Sequence, residues 1–212
     1  MADFTGMSQA TLWGFWAFAM VFVVIPGPDW AYAIAEGLRG KGVMAAVAGL
    51  LTGYIALTLV VAGGFEVLVA GNSVLLTGLT LVGAAYLAWL GVGLLRNPPV
   101  AEAGASRGGV SRFGQFVRGA LVSGLNPKGL LFFVAFVPPW TNPQAEVSIA
   151  LQIVVLGLIY TASCAVVYSM VGLGAGVALR SRPAATRLVG RLSGGAMLVL
   201  AVMLVCSESG LV

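Results

Sequence analysis

The sequence predicts an all-α membrane protein with six transmembrane helices, arranged as an inverted 3+3 repeat in which helices 1 and 4 are interrupted. Three observations carry this expectation. First, 59% of the 212 residues are hydrophobic and 8% are charged, whereas a soluble globular chain needs roughly 25% charged residues to face water. Second, six apolar runs follow one another, and a crossing takes about 20 apolar residues. Third, ten of the 11 Lys and Arg residues lie between alternate pairs of those runs or just inside their facing ends. Mean hydropathy is +1.01. Disordered, collagen-like and coiled-coil chains are excluded, since each needs polar or repeat-biased sequence.

The spans are expected at roughly 10–36, 43–65, 74–95, 113–137, 147–171 and 190–208. All are expected to be helices, because a lone strand in lipid leaves its backbone polar groups unsatisfied. Barrel strands would alternate polar and apolar residues, and the run Leu198 to Val205 does not. No Lys or Arg precedes the first run, and it continues past Ala17-Phe18-Ala19. It therefore reads as a retained helix, not as a signal peptide.

Arg39 and Lys41 separate spans 1 and 2. Arg96, Arg107, Arg112 and Arg118 flank the turn between spans 3 and 4, and Arg180, Arg182, Arg187 and Arg191 fill the turn between spans 5 and 6. Asp3, Glu66, Glu146 and Glu208 mark the other side. By the positive-inside rule the basic side is cytoplasmic and both termini lie outside. The net charge of +4 is then a topology signal, and nucleic acid is not an expected partner. Trp13, Trp16, Trp89 and Trp140 read as interfacial anchors.

The whole chain, 1–212, is expected to form one polytopic domain: repeat one over about 1–96, a linker over about 97–112, and repeat two over about 113–212. Three spans in each half force opposite orientations, so a repeat must be inverted. Pro26-Gly27-Pro28-Asp29 interrupts span 1, and Asn126-Pro127-Lys128-Gly129 is expected to kink span 4 rather than break it. Asp29 lies ten residues before Arg39 and Lys128 ten residues after Arg118. At about 1.5 Å per residue, each sits roughly 15 Å from the basic boundary, near the middle of the bilayer.

A charge at that depth costs about 2.5–3.5 kcal/mol on insertion scales. Structural readings exist for both. Asp29 can cap the half-helix that follows Pro28, and Lys128 can neutralise Asp29. The functional reading is a site for a zwitterion. Lys128 and free amides after Pro28 would take a carboxylate, and Asp29 with carbonyls freed by the prolines would take an ammonium. Asn126 can donate and accept at the same place. Tyr54, Tyr160, Thr161 and Ser163 are candidates to line a pathway, though such residues more often bond backbone within the bundle. GxxxG spacing at 49–53, 104–108, 172–176 and 190–194 matches the number expected by chance from 30 glycines.

Without histidine, Asp29 is the only candidate for proton coupling near mid-membrane. A thiol relay is disfavoured because Cys164 and Cys206 lie in spans 5 and 6, away from the breaks. A metal site is not expected either, with no histidine and a single mid-span carboxylate. No nucleophile–base pair or ligand cluster points to an enzyme or to a cofactor.

Pro26-Gly27-Pro28-Asp29 is followed by Gly37, Gly42, Gly49 and Gly53, then by Gly83-Ala84-Ala85-Tyr86-Leu87-Ala88-Trp89-Leu90-Gly91, then by Asn126-Pro127-Lys128 with Phe132-Phe133. In this order and spacing the chain resembles the LysE/RhtB amino-acid exporter family over nearly its whole length. The resemblance implies export of amino acids across the bacterial cytoplasmic (inner) membrane, driven by the proton-motive force. It points to Pro26, Gly27, Pro28, Asn126, Pro127 and Lys128 as substrate-binding positions. Pro138-Pro139-Trp140 departs from the Pro-Gln-Phe often found there. The expected function is secondary active export of small amino acids or related zwitterionic metabolites by proton antiport, with lipid, proton and substrate as partners. The alternative is a passive channel or facilitator. Oligomeric state is not legible, and a homodimer is one arrangement the sequence allows.

Overall fold

The computed structural model describes residues 7–69, 111–178 and 183–208, with 78, 81, 84, 85, 88, 89, 91–93, 95 and 96 between them. Among the described residues all regular structure is helical. The expected third span and the linker from 97 lie mostly outside the described residues.

Helix α1 (Gln9–Val24) starts where the Ser8 side chain accepts from the Thr11 amide at 3.0 Å. It ends because neither Pro26 nor Pro28 can donate to the preceding turn. Helix α2 (Pro28–Arg39) begins from extended Gly27 with proline at the first helical position, where no amide is needed. It stops at Gly40, whose φ of 78° is left-handed. The two pieces meet at 59°. Helix α3 (Val43–Val69) follows.

Helix α4 (Arg112–Gly124) is capped by Ser111, and α5 (Pro127–Leu131) by Asn126. Asn126 is extended, and its side chain accepts from the Lys128 amide at 3.0 Å. The expected kink is therefore a full break, because asparagine supplies the cap a restarting helix requires. Beyond α5 the chain widens into a π turn over Phe132–Phe136, then tightens into a 3₁₀ turn over Pro138–Trp140. Helices α6 (Ile149–Ala178) and α7 (Pro183–Glu208) complete the order. Helix α7 starts before the expected 190, since hydropathy marks where lipid begins and not where the helix does.

Two helices are individually long and apolar enough to cross a membrane, over Val43–Gly64 and Ile149–Ala175. Counting each bent pair as one span gives up to four among the described residues. Helices α3 and α6 form the frame. Helices α2 and α4 pack on it at the end bearing Arg39 and Arg118, and α1 with the π turn lies toward the opposite end.

Helices α3 and α4 approach backbone to backbone. A Cβ on Gly49 would stand 2.0 Å from the Phe116 carbonyl oxygen, and one on Gly119 2.4 Å from that of Ala46. The 49–53 spacing thus has a packing role that glycine statistics did not distinguish. Gly49→Val is expected to destabilise the protein by about 3 kcal/mol, read as a lower melting temperature in detergent. Gly63→Ala, with nothing within 4 Å of the new methyl, should match or exceed wild type.

Candidate functional site

The two breaks bring their charges together. Asp29, in the first turn of α2, is fully buried, as are Asn126 and Lys128 of the second break. Asp29 does not cap its helix; Gly27 holds the cap position and no side chain bonds there. Its Oδ2 instead accepts from the Tyr54 hydroxyl at 2.9 Å and from Asn126 Nδ2 at 2.5 Å. Asn126 thereby serves α5 with its oxygen and Asp29 with its nitrogen.

Lys128 Nζ donates to the carbonyls of Phe22 at 2.8 Å and Ile25 at 2.7 Å. The Phe22 carbonyl is available because residue 26, its ordinary helical partner, is a proline. Trp30 Nε1 takes the neighbouring Val23 carbonyl at 2.9 Å. These carbonyls were expected to receive a ligand's ammonium; in this structure the protein's own ammonium and indole occupy them. Asp29 and Lys128 make no direct ion pair, and among the described residues the single salt bridge is Arg39–Glu36.

Tyr54 and Tyr160 are both fully buried beside Asp29, with ring centroids 5.0 Å apart. Tyr160 also stacks on Phe132 at 4.3 Å. The Thr161 and Ser163 hydroxyls bond to the Gly157 and Ile159 carbonyls of their own helix, at 2.7 Å and 2.9 Å. Pro26 and Gly27 form the connection between α1 and α2, and Pro127 opens α5.

Side chains pack on both sides of this centre. Toward the tryptophan-bearing end, Phe15, Phe18 and Phe22 of α1 meet Phe132, Phe136 and Trp140, with Phe22 5.0 Å from both Phe132 and Phe136. Trp140, expected as an interfacial anchor, packs 5.8 Å from Phe15 inside this cluster, while Trp13 is 67% exposed. Toward the basic end a polar latch joins α2 to α4. Gln115 Nε2 donates to Glu36 Oε2 at 2.7 Å and to the Lys41 carbonyl at 3.1 Å. Arg39 donates to the other Glu36 oxygen, and the Tyr32 hydroxyl donates to the Gln115 carbonyl at 2.7 Å. Gly42, at φ 89°, leaves room for the Gln115 amide, which a Cβ there would strike.

Sequence reasoning missed Glu36, although it was findable. It stands seven residues after Asp29, two turns along the same helical face. Gln115 carried no comparable signal, being a neutral residue whose partners Glu36 and Lys41 are distant in the chain.

Residues 8–208 match the LysE type translocator family. The chain is 34% identical to an uncharacterized membrane protein of Pseudomonas aeruginosa over 61% of its own length and 64% of that protein. It is 30% identical to the leucine efflux protein of Enterobacter sp. (strain 638) over 62% of its length and 65% of that protein. Identity to the leucine efflux protein of Salmonella typhimurium is also 30%, over 64% of this chain and 67% of that one. The chain thus spans just under two thirds of the first relatives it matches. No solved structure matches it. The match over residues 8–208, with both breaks inside it, establishes that this chain belongs to the LysE type translocator family.

Proposed function

We propose that the protein is a secondary active exporter of small amino acids, and that it works by proton antiport at a site formed where span 1 and span 4 break. The observation that carries this is the buried centre itself. One carboxylate and one ammonium are held at the two breaks, and neither neutralises the other directly. An intramembrane charge is expensive and marks a substrate or ion path. A zwitterion matches one acid and one base, whereas a purely anionic or cationic substrate would leave one unmatched.

Alternating access needs a barrier on each side of the site. The aromatic cluster and the Glu36–Gln115 latch supply candidates for both, an arrangement that favours a carrier over an open channel. In this reading the site lies near the bilayer midplane and the latch faces the cytoplasm. The chain crosses the inner membrane six times as a single inverted 3+3 domain. The substrate carboxylate replaces the Phe22 and Ile25 carbonyls on Lys128, and Asp29 carries the proton.

The test is counterflow in proteoliposomes with labelled leucine and a panel of other amino acids, followed by accumulation against a gradient under an imposed pH difference. Exchange with pH-driven accumulation is the expected result. Exchange without accumulation would make the protein a facilitator, and no exchange of any amino acid would overturn the proposal.

A further inference from the structure

Three buried polar atoms among the described residues lack hydrogen-bond partners, and all three belong to groups around the same centre. They are Asp29 Oδ1, the Tyr160 hydroxyl and the Tyr168 hydroxyl. Both donors to Asp29, Tyr54 and Asn126, converge on Oδ2 and leave Oδ1 bare. Tyr160 and Tyr168 are eight residues apart on α6, on one helical face with Cys164 between them, and each is fully buried. Both hydroxyls lie near the Tyr54 hydroxyl and the Cys164 thiol without forming a well-aligned hydrogen bond to either, and both tyrosines are close enough to Asp29 to interact electrostatically with it. Buried polar atoms are almost always paired, so an unpaired trio gathered around one carboxylate calls for an explanation.

We infer that Asp29 Oδ1, Tyr160 and Tyr168 form a subsite for a primary ammonium group. The inference rests on the exporter reading and deepens it by naming the recognised group. An ammonium carries three N–H donors, and three acceptor oxygens stand unused. Its charge matches the carboxylate, whereas a ligand's carboxylate at Oδ1 would be repelled. Tyr54, which bonds the Asp29 carboxylate, packs with Tyr160 and Phe133, their ring centroids 5.0–6.2 Å apart, and aromatic rings attract a cation. A phenol oxygen can accept from the ligand while its own hydrogen turns toward Tyr54. Methylation of the amine would remove donors and leave at least one oxygen unpaired, so the subsite selects unmethylated amines.

Tyr168→Phe and Tyr160→Phe remove only the hydroxyls and keep the packing. In proteoliposomes each is expected to raise the half-saturation concentration for labelled leucine about ten-fold, the loss of one hydrogen bond to a charged group. The maximal rate should change little. Wild type should be inhibited by leucine far better than by N,N-dimethyl-leucine or the 2-hydroxy analogue, and both variants should narrow that discrimination about ten-fold. A structural role would not move this ratio. Wild-type leucine exchange with unchanged half-saturation and discrimination in both variants would overturn the subsite while the exporter reading stands. Should wild type exchange no amino acid, the exporter reading falls and the subsite is decided separately by melting temperature in detergent. Methylammonium chloride should then stabilise wild type more than sodium or tetramethylammonium chloride at equal ionic strength, and Tyr168→Phe should abolish the difference. Equal effects of the three salts, or a sodium effect matching methylammonium, would overturn it.

Discussion

Lys128→Ala should reduce counterflow of amino acids by at least about 100-fold, a loss that corresponds to roughly 3 kcal/mol. The wild-type ammonium makes two charge-assisted bonds to the Phe22 and Ile25 carbonyls, and these bonds tie α5 to the unwound end of α1. Alanine leaves both carbonyls buried and unpaired, at about 1–3 kcal/mol each, and leaves the buried Asp29 without a nearby cation. Some loss of stability is therefore expected, visible as a lower melting temperature. Lys128→Met separates the two effects, since it keeps the length and apolar stem but removes the charge. It should fold better than the alanine variant and transport no better. Normal exchange by either variant would refute the role assigned to Lys128, whatever the stability result.

Asp29→Asn is expected to abolish accumulation driven by a pH difference. The asparagine oxygen can still accept from Tyr54 and Asn126, so the break should keep its geometry and the melting temperature should stay near wild type. What disappears is a carboxylate that can carry a proton through a site otherwise lacking histidine. The remaining described buried carboxylate, Glu36, is already engaged by Arg39 and Gln115 at the basic end. The comparison variant is Glu36→Gln. Full pH-driven accumulation by Asp29→Asn, together with its loss in Glu36→Gln, would move the coupling role from the centre to the latch.

The sequence disclosed the parts of this site that break rules. Prolines inside an apolar run violate helix chemistry, and a lone acid or base at mid-span violates the solvation preferences of lipid, so Pro26, Pro28, Asp29 and Lys128 stood out. Partner choice did not stand out. Whether Lys128 would meet Asp29 or the α1 carbonyls depends on how two helices a hundred residues apart are turned, and spacing carries no such information. The same limit hid the latch, where Glu36 meets Gln115 across 79 positions of chain. It also hid the use of Gly49, since a glycine permits close approach without naming the neighbour. Asn126 was read as a ligand-binding side chain, while its capping role, which turns a kink into a break, follows from local helix chemistry and was available.

Asn126 joins two equilibria that would otherwise be independent. One amide group caps α5 through its oxygen and bonds Asp29 through its nitrogen. Anything that weakens the carboxylate as an acceptor, a proton or a competing donor, therefore alters how firmly that amide is oriented for the first turn of α5. Thermodynamic reciprocity requires the reverse effect to be equally large: loosening the start of α5 must change the proton affinity of Asp29 by the same free energy. The helix that carries Lys128 and the acid that faces it are thus linked through a single side chain. In a double-mutant cycle read by melting temperature, Asn126→Ala and Asp29→Ala, each of which removes the bond between them, should be non-additive even though neither residue lies on the other's helix.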